Sequence, residues 1–286
     1  MRRGSAGATD RWGADSRSVG EGVLGSRFQA APVSGSLGLK ITGIDLNGDL
    51  NESVIAELRQ LLLTRLALFF PGQSLSHAAQ FAFAQRFGEV QRHPDRAEWV
   101  ENTDQKIVIV SPKGGVSSVW HCDYDEDFVP CGFSLLNMIR CAADGGGDTI
   151  FASSYSIYDQ FSAPMRTLLD GLTAIHRNIG NSKRKRDTAE FPLVGVHPET
   201  GRKGLLYSAH HVVGFVELPQ AESDILLDYL KHLTVRPDFA YRHHWEKGTL
   251  AFWDNRCIQH FAVPDFTGDR LLYQVTLAGG LPSRPV

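Results

Sequence analysis

The stretch TLAFWDNRCIQHFAVPDFTGDRLLYQVTLAG, Thr249 to Gly279, decides the fold. It reads as three short apolar runs, TLAFWDN, CIQHFAV and LLYQVTLAG, broken by polar and Pro/Gly-containing phrases. Runs of this length with aromatic and β-branched residues are strands, too short for helices. The same text continues upstream in KIVIVS, VWHCDYDE, SLLNMIRCA, DTIFAS and FAYRHHW, with Gly-rich and Pro-containing turns between them. LKITGIDL (Leu39 to Leu46) alternates, and ALFFPGQ is a buried strand stopped by Pro71 and Gly72.

Helices interrupt this pattern in a few places. Val54, Ile55, Leu58, Leu61 and Leu62 recur at helical spacing, and Ser76 is placed to cap HAAQFAFAQRFG, with Gly88 at its end. A helical stretch runs from Ser156 to Leu172, with Ser162 and Pro164 marking an internal start. PQAESDILLDYLKHL is another helix, with Leu226, Tyr229, Leu230 and Leu233 on one face. The expectation is a mainly β protein with helices: a sandwich or barrel-like core carrying helices on one side. Residues 1–28 read as a disordered tail, and 29–286 as a single domain.

Composition narrows the function. A net charge of −3 gives no basic excess for nucleic acid or an anionic membrane. Four cysteines without CxxC spacing suit reduced thiols in a cytoplasmic protein. The longest apolar stretch, near Leu61 to Phe70, is far too short to span a bilayer, and no apolar run follows Met1-Arg2-Arg3 to make a secretory signal. No strand leads into a G-x-G-x-x-G, no P-loop is present, and Gly145-Gly146-Gly147 reads as a turn.

The chemistry starts at Trp120-His121-Cys122-Asp123. In a strand, residues i and i+2 share a face, so His121 and Asp123 present an imidazole and a carboxylate side by side while Cys122 turns to the opposite face for packing. Two such groups with a third ligand elsewhere make the 2-His-1-carboxylate set that leaves half of an iron's coordination sphere open. Among eleven histidines, an H-x-D tripeptide alone more often means a strand histidine bonded to a nearby aspartate. His260 stands in a strand context, Arg270 lies ten residues on, and Thr149 follows the glycine run. A permanently charged guanidinium is the group that holds a dicarboxylate bidentately. Singly, Arg270 equally suits a surface ion pair and Thr149 an ordinary strand.

The phrases FFPGQSLS, RFGEVQRHP, WHCDYDEDFVP, GGGDTIF, VGVHPETGRKGLLY, WDNRCIQHFAVPDF and DRLLYQVTLAG, in this order from Val33 onward, resemble the taurine dioxygenase (TauD/TfdA) family of 2-oxoglutarate-dependent dioxygenases. The resemblance implies a double-stranded β-helix, the cupin-like jelly roll, with helical insertions. It implies His121, Asp123 and His260 as Fe(II) ligands and as the catalytic centre, with 2-oxoglutarate and O2 as co-substrates. Thr149 and Arg270 resemble the residues that bind 2-oxoglutarate. The implied reaction hydroxylates a small organic substrate and releases succinate and CO2; beside a heteroatom, hydroxylation leads to bond cleavage. Asp123 is the carboxylate that related iron halogenases lack.

His93, Ser117, His211 and Gln274 match substrate-facing positions of the family. Gln274 stands where taurine dioxygenase places the arginine that grips a sulfonate, which points away from taurine toward a neutral or differently anchored molecule. The basic run Asn181 to Asp187 reads as a solvated loop. No nucleic acid or membrane partner is implied, and a homo-oligomer stays open. Two other readings use the same residues: a metal-dependent hydrolase, for which Thr149 and Arg270 serve no purpose, and a non-catalytic jelly-roll binding module, for which the ligand set serves none.

Overall fold

The computed structural model describes residues 28–93, 98–114, 117–125, 127–179, 186–280 and 283–285. All but one residue of the expected tail, and residues 181–185 of the basic run, lie outside these. The chain begins β1 (Gln29–Pro32), β2 (Leu39–Thr42), α1 (Glu52–Arg65), β3 (Ala67–Phe70), α2 (His77–Gln85) and β4 (Val108–Val110). It continues through β5 (Phe133–Arg140), β6 (Thr149–Ser153), α3 (Ser154–Asp159), α4 (Ala163–Gly171), β7 (Thr173–Arg177), β8 (Thr188–Pro192), β9 (Val194–Val196), β10 (Lys203–Leu205) and β11 (Val212–Phe215). It ends with α5 (Gln220–Thr234), β12 (Ala240–His243), β13 (Leu250–Asp254), β14 (Ile258–Ala262) and β15 (Leu271–Thr276).

A major sheet is ordered β1-β2-β3-β13-β5-β15-β4 and a minor one β12-β6-β14. All neighbours are antiparallel except β2 and β3. Side-chain alternation between two covered faces explains why β3 (ALFF) and the first four residues of β13 (LAFW) are all apolar. Leu68, Phe70, Leu250 and Phe252 face a cluster with Leu58, Leu62 and Phe83 of the two N-terminal helices. The intervening Ala67, Phe69, Ala251 and Trp253 face inward, packed with Phe151 of β6 and Ile258 of β14. A strand covered on both faces needs no polar residues.

The helix ends follow from capping. Asn51 and Ser76 accept from the backbone N–H groups of Val54 and Ala79 at 3.0 and 3.1 Å. The second helix stops at Gln85, before Gly88. The stretch expected over Ser156–Leu172 is two helices, because Ser162 starts a new one. On α5 the buried face carries Leu226, Leu227, Leu230 and Leu233, while Tyr229 is exposed. The helices are also not on one side. The first two cover the outer face of the major sheet, and the last three share a second cluster with the β7, β9, β10 and β11 strands. Those short strands are not among the strands expected from the sequence.

Candidate active site

The site sits where the minor sheet meets the segment around His121. That segment is not the regular strand expected over VWHCDYDE; it makes isolated bridges at His121 and Tyr124. His121 pairs with His260 of β14, each N–H donating to the other's carbonyl at 3.1 and 2.8 Å. Residues opposed in this way put their side chains on one face, and the two rings lie 4.2 Å apart between centroids. Asp123 is two residues on, with its Oδ1 3.8 Å from His260 Nε2. One ligand atom from each of the three residues lies within 4.8 Å of the others. Cys122, between them, is buried against Tyr124 and Phe128, as alternation requires.

The surroundings fix each donor. His121 Nδ1 lies 2.7 Å from the Val119 carbonyl, so that nitrogen carries the proton and Nε2 keeps a lone pair. The Asp123 Oδ2 atom accepts from Ser134 Oγ at 2.8 Å and Gln274 Nε2 at 3.1 Å. Its backbone is held by Asn255, whose Oδ1 accepts from the Asp123 N–H at 2.9 Å and whose Nδ2 donates to the carbonyl at 2.6 Å. The His260 ring meets the Trp253 edge at 5.0 Å and Phe151 at 6.3 Å. Two imidazoles and one carboxylate, all oriented by neighbours, fit a first-row divalent ion with open positions.

Arg270 and Thr149 line the same open cleft as the three ligands. The Arg270 side chain runs over the glycine turn. A Cβ on Gly147 would come within 2.8 Å of Arg270 Nε, so that position requires glycine for space as well as for its φ of +86°. The guanidinium stacks near Phe266, and its Nε has no hydrogen-bond partner among the described residues. Burial draws its pKa down to about 10, opposed by Cys141 and Asp148. An uncompensated buried cation is costly, and an anion arriving in the cleft relieves that cost. Thr149 Oγ1 accepts from Trp245 Nε1 at 3.0 Å. An indole only donates, so the threonine O–H remains a donor.

Ser117 and Gln274 line the cleft, with apolar walls from Val108, Val110, Leu136 and Leu272. His93 and His211 are not among its lining residues. The His93 ring is bonded to Thr276 Oγ1, and residues 94–97 beside it lie outside the described chain. His211 stacks on Tyr124 at 5.6 Å. Ser134, Asn255 and Trp245 are not among the site residues expected from the sequence. A serine inside the apolar strand FSLLNMIR, and an asparagine directly after the buried Trp253-Asp254 pair, were the available signals.

Two facing, mainly antiparallel sheets that enclose a His-Asp-His cluster and a buried arginine define the jelly-roll oxygenases that use a dicarboxylate co-substrate. Residues 29–276 match the model of the "Taurine catabolism dioxygenase TauD, TfdA family", and the chain belongs to that family. It is 31% identical over 277 residues to an alkylsulfatase of Acinetobacter baylyi, covering 88% of this chain and 86% of the relative. It is 31% identical over 272 residues to an alpha-ketoglutarate-dependent sulfate ester dioxygenase of Pseudomonas putida, covering 88% and 89%. The crystal structure of a taurine dioxygenase from Burkholderia xenovorans superposes with a TM-score of 0.82 at 33% identity, over 91% of this chain and 92% of that one. The chain is thus a 2-oxoglutarate-dependent dioxygenase with the jelly-roll core, acting on a small organic substrate. No helix among the described residues is long and apolar enough to cross a membrane.

Proposed function

We propose that His121, Asp123 and His260 hold Fe(II), and that Thr149 and Arg270 hold 2-oxoglutarate beside it. With both bound, the centre supplies dioxygen activation coupled to decarboxylation of 2-oxoglutarate to succinate and CO2, and the substrate is hydroxylated. The protein's share is placement. The guanidinium of Arg270 pairs with the distal carboxylate, and the Thr149 hydroxyl donates to the same group. Ser134 and Gln274 hold one oxygen of Asp123 and leave the other for the metal. The apolar walls keep water out of the space next to the three ligands.

The observation that carries this reading is the buried Arg270 guanidinium, which has no carboxylate within ion-pair distance among the described residues and lines the cleft of the cluster. A hydrolase has no use for such a group. The substrate we propose is a small organic molecule without a sulfonate at position 274, since an amide there lacks the charge that grips one. Under anaerobic conditions, Fe(II) and 2-oxoglutarate together should give a visible charge-transfer band with the wild-type protein and none with His121→Ala. A wild-type protein that binds neither, or a band that persists in the variant, would falsify the assignment.

A further inference from the structure

We infer that the substrate presents a hydrogen-bond donor, a hydroxyl or an N–H, to the side-chain carbonyl of Gln274 next to Asp123. The inference rests on the metal and co-substrate assignment above, and on the direction of one amide.

The Gln274 side chain ends 3.1 Å from Asp123 Oδ2. An ionised carboxylate only accepts, so the atom facing it is the NH2 group. Turning the amide over would set two oxygens against each other. The donor end is therefore committed to Asp123, and the remaining atom, Oε1, is an acceptor. Among the described residues nothing donates to it. It is also not among the sealed polar atoms of the interior, although Gln274 as a whole is 5% exposed and lines the cleft. The carbonyl thus opens on the cleft.

The side chains that flank it in register and along the strand offer no donor. Leu136 lies opposite in register on β5, and Leu272 lies two residues back on the same strand; both line the cleft with apolar groups. A sulfonate or carboxylate placed here would meet a carbonyl oxygen with the Asp123 carboxylate directly behind it. The one cation among the described lining residues is Arg270, which serves the co-substrate. An alcohol, an amide N–H or an ammonium meets complementary charge instead. Because Gln274 touches a proposed metal ligand, this donor sits close to the carbon that reacts.

The test compares probes of one chain length: 1-hexanol, hexanamide and hexylamine against hexanoate, hexanesulfonate and hexyl sulfate. Each is titrated anaerobically into the Fe(II)·2-oxoglutarate complex, and binding is read as a shift of the visible band, with no turnover needed. The donor-bearing probes should bind about tenfold or more tightly than the anions. Gln274→Met, which keeps volume and removes both amide ends, should cost the donor probes about tenfold more than it costs hexyl methyl ether, whose own loss reads the loosening of Asp123. Gln274→Leu serves as a second variant, with melting curves to show that each is folded. Tighter binding of any anionic probe, equal loss for the ether, or no binding of any donor probe overturns the inference. A missing band before any probe is added counts against the metal and co-substrate assignment itself, and this inference goes with it.

Discussion

His121 and His260, far apart in the chain, are a directly opposed, doubly hydrogen-bonded pair. Two imidazoles of the cluster are thus set by backbone pairing, before any ion is present. His121→Ala and His260→Ala should leave this pairing and the melting temperature largely intact. Metal content after reconstitution should fall to background, and succinate formation with it. A variant that retains stoichiometric iron would remove that histidine from the ligand set.

Ser134 supplies the shorter of the two hydrogen bonds to Asp123 Oδ2. Ser134→Ala frees the carboxylate to rotate or to bind through both oxygens. Outer-shell losses of this kind weaken metal affinity by about 10–100-fold. Titration with Mn(II), followed by calorimetry, checks this; unchanged affinity would mean the carboxylate is held well enough without the serine.

Arg270→Leu removes a buried cation from the protein alone and removes the counter-ion from its complex. The free variant should melt at or above the wild-type temperature, since an uncompensated buried charge opposes folding. The KM for 2-oxoglutarate should rise by a factor equivalent to about 2–5 kcal/mol. A lower melting temperature together with an unchanged KM would refute both halves.

Trp245→Phe keeps the ring beside Thr149 and deletes the indole N–H bonded to its hydroxyl. The hydroxyl then turns freely, and the KM for 2-oxoglutarate should rise about fivefold, the worth of roughly 1 kcal/mol for one neutral hydrogen bond. The kcat should change little. A kcat loss without a KM change would place Trp245 in another role.

His243 lies on β12, buried, with its ring stacked on Phe69 at 4.5 Å. Burial draws its pKa down to about 4, against a partial opposing pull from Asp148. Between pH 4 and the ordinary histidine value near 6.5, the unfolded chain binds a proton that the folded one does not, so stability rises with pH across that window. The span is on the order of 3 kcal/mol, lost as pH falls toward 4. His243→Phe should narrow the difference in melting temperature between pH 7 and pH 5. An unchanged difference would show that other groups carry the acid sensitivity.

The sequence announces the strands whose periodicity is unmixed. ALFF and the LAFW that precedes Asp254 are apolar at every position, because each is covered on both faces, and no helix of useful length fits in them. It hides the β7 to β11 region, where strands of three to five residues carry glycines and charges and draw their order from packing against α3, α4 and α5. For the site, the ligand trio is legible because alternation links His121 to Asp123, and because the family phrases bring His260 alongside. Gln274 is the instructive case. Its position in the chain places it in the cleft, but only coordinates reveal that its amide nitrogen is spoken for by Asp123. The roles of Ser134, Asn255 and Trp245 are invisible for the same reason: each acts through a contact with a residue remote in sequence.

Phe252 and Trp253 are consecutive residues of β13 that look in opposite directions. One packs on Phe83 and Phe87, the other on His260. The outer helical coat and the chemical interior are therefore separated by a wall a single residue thick. Loosening of α2 on heating cannot stay local, since the strand that loses its outer support also braces an imidazole. Thermal inactivation and unfolding should accordingly follow one curve, with no warm, folded and inactive state between them.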